Sequence, residues 1–325
     1  MARVTQSIRG PRAFFWIVVL FLGLTGKSPA QTFTTYVIPT ADSHPFSIVG
    51  GPDGALWFTE WDGNKIGRIT TSGEFTEYPL PEKGSQPVWI KVGPDGALWF
   101  TEHVGNRIGR ITTAGEITEY PLSTPNSGPW NIDVGPDGQT LWFTQEASLQ
   151  IGQITTAGVI TEYPVRLSPW DMTAGPDGAL WYTERSANKV ARITTSGVVT
   201  NQYEDPTPES GPNYIITGPD EALWFTEQFG DKIARMTTAG AFTEYPVPTA
   251  ASQPGSLALG PDGNLWFTEH TGNKIGRLTL TGVMTEYAVP TPNSNPMVLE
   301  PGPDGALWFT EFFASRICRM TVPAN

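Results

Sequence analysis

The sequence predicts an all-β fold, a seven-bladed β-propeller made of four-stranded blades. Three observations carry this reading. A ten-residue phrase, first met as Gly51-Pro52-Asp53-Gly54-Ala55-Leu56-Trp57-Phe58-Thr59-Glu60, occurs seven times, beginning again at Gly93, Gly135, Gly175, Gly218, Gly260 and Gly302. The intervals are 42, 42, 40, 43, 42 and 42 residues, a period that marks radial arrays of four-stranded units. The two chain ends are also complementary. Phe33 to Pro39 reads as a fourth strand with no blade before it, and the chain stops after a third strand, Arg316 to Thr321. The N-terminal strand therefore completes the seventh blade and closes the ring non-covalently, leaving no long unpaired edge.

Residues 1–30 stand apart from the repeats. Arg3, Arg9 and Arg12 form a basic segment, Ala13 to Leu24 is apolar, and Ser28-Pro29-Ala30 supplies small residues before Gln31. That order predicts a secretory signal peptide cleaved after Ala30. The apolar run is shorter than the ~20 residues that span a bilayer, and the alternative is an uncleaved N-terminal anchor. Residues 31–325 are then one propeller domain, exported to the periplasm or the extracellular space and read as a monomer with no membrane attachment after cleavage. The leader carries four bases and no acids, so 16 basic residues face 32 acidic ones in the mature chain, a formal charge of −16. Such a surface repels nucleic acid and anionic membranes. Cys318 is the only cysteine, so no intramolecular disulfide exists.

Within the first blade, Phe46-Ser47-Ile48-Val49 is a short apolar strand and Gly51-Pro52-Asp53-Gly54 a turn. Proline presets the backbone there, aspartate bonds its own loop, and glycine accepts positive φ. Ala55 to Thr59 is a bulky second strand. Gly63-Asn64 reverses the chain into Lys65 to Thr70, and Thr71-Ser72-Gly73 turns it into Glu74 to Pro79, whose proline suits an outer edge.

Residues common to every blade are expected to build the blade, and residues that differ to carry function. Glu60, Glu102, Glu184, Glu227, Glu269 and Glu311 all end a second strand. Bases stand eight and eleven residues after each tryptophan, beginning with Lys65 and Arg68. In blade three, acid and bases alike become Gln145, Gln150 and Gln153. Charges that vanish together predict ion pairs between each Glu and a base across its own hairpin, rather than a metal ring. The tryptophans read as packing between blades.

The variable positions flank a proline that opens each first strand, from Pro45 to Pro296. The residues around them predict a cup at one mouth of the channel, aromatic beside blades one to four and polar beside blades five to seven. The alternative is that the aromatics plug the channel. Candidate ligand-binding residues are Phe46, Trp89, Trp130, Trp170, Asp171, Asn213, Tyr214, Asn295 and Met297, and the candidate catalytic residue is His44. His103 and His270, each directly after a strand-ending Glu, read as solvated rim-loop residues. No G-x-S-x-G, H-E-x-x-H, CxxC or phosphate-binding loop is present.

Units such as Gly260-Pro-Asp-Gly-Asn-Leu-Trp-Phe-Thr-Glu269, Asn273-Lys-Ile-Gly-Arg-Leu-Thr279 and Glu116-Ile-Thr-Glu-Tyr-Pro-Leu122 resemble the virginiamycin B lyase (streptogramin lyase) family over residues 33–321. The resemblance implies a carbon–oxygen lyase that opens a cyclic depsipeptide of the streptogramin B type by elimination, with a bound Mg²⁺. It implies a Tyr after the first blade's proline, where this chain has Phe46, and a His after the sixth blade's, where it has Gly255. The family's Glu-Pro-His triplet is here Asn295-Pro296-Met297, and a metal-binding Glu ending the last blade's second strand corresponds to Glu311. The residues themselves call for no cofactor. They leave open a non-catalytic propeller whose partner is a small molecule, glycan or peptide held in the aromatic mouth, a lyase or hydrolase using His44, and a protein-binding scaffold.

Overall fold

The computed structural model describes residues 31–322, and the expected leader lies outside the described residues. They form seven four-stranded antiparallel sheets in a ring, with two short 3₁₀ turns, Arg185–Ala187 and Phe312–Ala314. The first strand β1 (Phe33–Val37) joins the last blade by pairing with Arg316–Met320, from Phe33 opposite Met320 to Val37 opposite Arg316. Ring closure is therefore non-covalent, as expected.

Blade one shows why this sequence makes these elements. Strands β2 (Pro45–Gly50), β3 (Leu56–Glu60), β4 (Lys65–Ile69) and β5 (Phe75–Pro79) run from the channel outward. The second strand is buried along its whole length, so its five residues read as a continuous bulky run instead of an alternation. β5 alternates, as an outer strand with one wet face does. Opposite Phe58 stands Gly67, where an added Cβ would lie 2.1 Å from the phenyl ring. Blades four, five and seven place Ala191, Ala234 and Cys318 at this slot. The lone cysteine is thus a fully buried small residue, and burial pushes its thiol up to about 12.

Each repeated tryptophan is fully buried, and its indole N–H must still find an acceptor. In six blades the turn aspartate provides one. Trp57 donates to Asp53 at 3.0 Å, and the same aspartate's other oxygen takes Arg68 at 2.7 Å. The trio repeats around Asp95, Asp177, Asp220, Asp262 and Asp304. The bases eleven residues after tryptophan therefore bind the turn, not the strand-ending Glu that the spacing suggested. The strand-ending Glu is fully buried whereas the arginine stays partly exposed at the turn, so the guanidinium keeps part of its hydration there. Blade three has one extra turn residue, and its Arg becomes Gln153. There Asp137 bonds only its own turn, and the Trp142 indole nitrogen has no partner.

Blade is tied to blade by the threonine of the second strand. Thr59 Oγ1 donates to the Val88 carbonyl at 2.7 Å, and Thr310 closes the ring by donating to Phe46 at 2.7 Å. Asp220→Ala should lower unfolding free energy by about 1–3 kcal/mol, because it strips partners from a buried indole and a guanidinium. Asp137→Ala should cost under about 1 kcal/mol, since only turn bonds are lost. Denaturant titration of both variants measures the difference, and equal losses would show that the bridge adds nothing to the turn.

Candidate functional site

The mouth where the first strands begin is built by unusual backbone. His44, Gln86, Gln253 and Asn295 precede prolines and adopt φ of 48°, 52°, 52° and 52°. This left-handed conformation disfavours residues with a Cβ and is kept only where the surroundings impose it. Here it turns the carbonyl of each residue toward the end of the second strand. His44 accepts from the Trp61 amide, Gln86 from His103, Gln253 from His270 and Asn295 from Phe312. The residue directly after the second strand is thereby pinned above the mouth, and Gly128 and Gly211 hold Glu146 and Gln228 in the same way. Across the blades this slot reads Trp61, His103, Glu146, Arg185, Gln228, His270 and Phe312.

A cavity of about 600 Å³ opens at this mouth. Phe46, Trp130, Trp170, Asn213, Tyr214, Asn295 and Met297 line it, seven of the nine residues singled out as ligand contacts. The aromatic side is continuous: the ring centroids of Phe46 and Trp130 lie 5.4 Å apart, and those of Trp130 and Trp170 lie 4.5 Å apart. Trp89 and Asp171 sit deeper, beside a much smaller cavity with Lys91, Asp133 and Glu300. Trp89 packs on Tyr214 at 5.3 Å, so aromatics both wall the cup and fill the channel beneath it. Asp171 accepts from the Ile215 amide at 2.7 Å and from the Asn131 side chain, tying three blades together. Burial holds its carboxyl well above the usual range.

His44 lies on the rim instead. Its Nδ1 is 2.6 Å from Asp62, and its ring stacks on Phe312 at 4.9 Å, outside the cavity lining. Glu311 is fully buried inside blade seven.

The polar wall contains residues that sequence reasoning passed over. Arg185, Gln228 and His270 all occupy the slot after the strand-ending acid and all line the cavity. His270 is not a solvated loop residue. Its Nε2 is buried without a partner, and an added Cβ on Gly255 would lie 1.9 Å from that nitrogen. Desolvation, aided by the nearby Arg185 charge, pushes its pKa down to about 4, against the opposing bond to the Met297 main chain. The Arg185 guanidinium carbon lies 4.8 Å from the Trp170 ring and 5.0 Å from that of Phe229, and the side chain donates to Gln228. Variability of this slot was the available signal.

The strand-ending glutamates do not pair as expected. Glu60 stands opposite Lys65 in the ladder, yet the ammonium reaches past it to Glu77 on β5, at 2.9 Å. Lys232 and Lys274 likewise take Glu244 at 2.6 Å and Glu286 at 2.9 Å. Both oxygens of Glu60, Glu102, Glu227, Glu269 and Glu311 are buried without partners. Burial, reinforced by the second carboxylate beside each, pushes Glu60, Glu227 and Glu269 up to about 8. A lysine does better with the wetter acid, since pairing a fully buried carboxylate means desolvating two charges. Gln145 in blade three is the permanently neutral counterpart of these protonated acids.

The sequence profile of the Virginiamycin B lyase family matches residues 10–169 and 167–325 of this chain. Selenomethionine-substituted virginiamycin B lyase from Staphylococcus aureus is 38% identical, with a TM-score of 0.85 over 90% of this chain and 99% of that one. A streptogramin B lyase structure is 37% identical, with a TM-score of 0.85 over 90% of this chain and 97% of its own. A catalytically inactive variant of the Staphylococcus aureus enzyme, solved with quinupristin, is 39% identical, with a TM-score of 0.85 over 90% and 99% of the two chains.

The raised glutamates make stability depend on pH in a definite direction. Each holds its proton more tightly folded than unfolded, so its contribution is complete below about 4.5 and is lost as pH rises through about 8. Glu77, Glu244 and Glu286 are lowered and act oppositely, losing their contribution on acidification below 4.5. The melting temperature should therefore peak in weak acid and decline from pH 5 to 9. A Glu60→Gln, Glu227→Gln, Glu269→Gln triple variant should flatten that alkaline decline. Scanning calorimetry across this range tests it, and a decline of unchanged steepness would show that these three groups do not cause it.

Proposed function

Because the chain belongs to the virginiamycin B lyase family, we propose that its mouth cavity is the substrate pocket of a carbon–oxygen lyase acting on an ester-closed peptide with aromatic side chains, the chemical class of streptogramin B. The observation that carries this reading is the cavity's division into a continuous aromatic arc and an opposite wall of amides. Phe46, Trp130 and Trp170 offer faces for aromatic groups, while Asn213, Gln228 and Asn295 offer donors and acceptors for peptide bonds. Its volume suits a ligand of that size. The leader expected over residues 1–30 fits a protein that meets such a compound outside the cytoplasm.

The Mg²⁺ that the family implies does not fit this mouth. A small hard cation takes oxygen ligands, carboxylates above all. The polar side chains of the cavity lining are amides, the hydroxyls of Tyr214 and Thr271, one imidazole and one guanidinium, with no carboxylate. Arg185 repels a dication placed there. Glu311 is enclosed in its blade, where burial raises its pKa against the pull of Arg316. Among the described residues, the group of three carboxylates close enough to share an ion is Asp205, just after blade four, with Glu227 and Glu244 of blade five, where Lys232 already neutralises Glu244.

A second reading is a propeller that binds the same class of ligand without turnover. Phe46, Gly255, Asn295 and Met297, standing where the family has Tyr, His, Glu and His, favour it. Calorimetric titration of residues 31–325 with a streptogramin B depsipeptide tests the shared premise. Trp130→Ala should weaken binding at least tenfold, as loss of a central aromatic anchor does, while circular dichroism stays that of the parent. No binding by the parent, or binding indifferent to Trp130→Ala, would remove the cavity from consideration.

A further inference from the structure

We propose that the mouth cavity carries a carboxylate-binding site at Arg185, so that it takes a peptide with a free carboxylate beside its aromatic groups in preference to a neutral one. This inference rests on the mouth being the ligand pocket, as read above, and names the charge of what enters it. It starts from the charges of the wall. Arg185 is the one permanently charged side chain of the cavity lining, and desolvation keeps the His270 imidazole there neutral. Among the described residues no carboxylate forms an ion pair with the guanidinium. The Glu146 carboxylate attracts it only from a distance and sits 3.8 Å from His103 Nε2 instead. A half-buried charge that has lost water and gained no counter-ion is costly to keep, and an anionic ligand removes that cost.

Blade four is built differently from the others in order to reach this arrangement. The residue before its proline, Ser168, is not left-handed, whereas its counterpart is in each of the other six blades. The first strand is cut to Met172–Ala174, and Trp170 and Asp171 exchange bonds with Thr183 instead. Arg185 is therefore not held by a pre-proline carbonyl, and it opens the turn Arg185–Ala187. Its side chain extends to blade five. The guanidinium carbon lies 4.8 Å from the centre of the Trp170 ring and 5.0 Å from that of Phe229, and Nη2 donates to Gln228 Oε1.

Rings on two sides restrict the guanidinium and keep water from it, which strengthens its attraction for an anion. Its planar fork matches the two oxygens of a carboxylate. The Trp170 ring continues into Trp130 at 4.5 Å, so an aromatic group resting on that arc brings a neighbouring carboxylate to Arg185. Opening an ester-closed ring creates such a carboxylate, and the pocket therefore favours the opened chain over the closed ring. The acidic surface of the molecule opposes an approaching anion only weakly, because exposed charges more than about 8 Å away are screened at physiological ionic strength.

The test titrates the parent calorimetrically with three probes: a streptogramin B depsipeptide, its ester-hydrolysed linear form with a free carboxylate, and that linear form capped as the amide. Acid and amide share one chain and one flexibility and differ in charge. The acid should bind ~10- to 100-fold more tightly than the amide, as a charge-assisted pair in a partly dry site does. Arg185→Met, which keeps an apolar chain between Trp170 and Phe229, should bring the two affinities within ~3-fold of each other while circular dichroism stays that of the parent. The comparison in the parent stands whether or not the variant folds. Acid and amide that bind equally, or a preference that survives Arg185→Met, overturns the carboxylate site and leaves the pocket reading in place. A closed ring that binds while neither linear form does has the same meaning. Failure of all three probes to bind overturns the pocket reading and the carboxylate site with it.

Discussion

Seven tryptophans buried between blades impose the constraint from which most of this structure follows. Each brings a large apolar surface that holds the ring together and one N–H, which finds an acceptor in six of the seven blades. The aspartate of the preceding turn accepts that N–H, and once it is fixed there its second oxygen captures an arginine from the third strand. One buried donor therefore specifies the turn, the strand pairing and the charge pattern of a blade. Blade three shows the chain of dependence in reverse. A single added turn residue moves Asp137 away from Trp142, and the arginine, having lost its acceptor, is a glutamine there.

Stability of the ring and variability of the mouth are separated in the same way. Threonines at the middle of six blades staple the second strand to the next first strand, and the closing bond from Thr310 to Phe46 is of the same kind as the others. With the ring held at that level, the residues above it are free to differ. In every blade but the fourth the residue before the proline is left-handed and holds the residue just beyond the second strand, and the opening is lined from both the first-strand starts and, through Arg185, Gln228 and His270, that second slot. The cup is assembled from both sets.

The buried glutamates illustrate how desolvation decides between two pairings that look equivalent on paper. Lys65 stands opposite Glu60 and also reaches Glu77, and it binds the acid that retains contact with water. Glu60 is then cheaper to keep protonated than to ionise. The strand-ending carboxylates, which the sequence pairs with bases across each hairpin, are instead enclosed each in its own blade, where burial raises them toward the neutral form.

The seven-bladed architecture was legible in the sequence because a repeat writes itself locally: turn residues, strand lengths and the 42-residue period recur within short windows, and the unmatched strands at the two ends admit one closure. Most of the aromatic wall was legible too, since Phe46, Trp130 and Trp170 break an otherwise regular pattern. What the tertiary structure alone decided was where long side chains end. Lys65 passing over Glu60, Arg68 turning back to Asp53, and His270 folding into the space above Gly255 are all matters of reach and solvent access between residues on different strands. Those distances and dielectric surroundings exist only once the strands are packed, and no spacing along the chain encodes them.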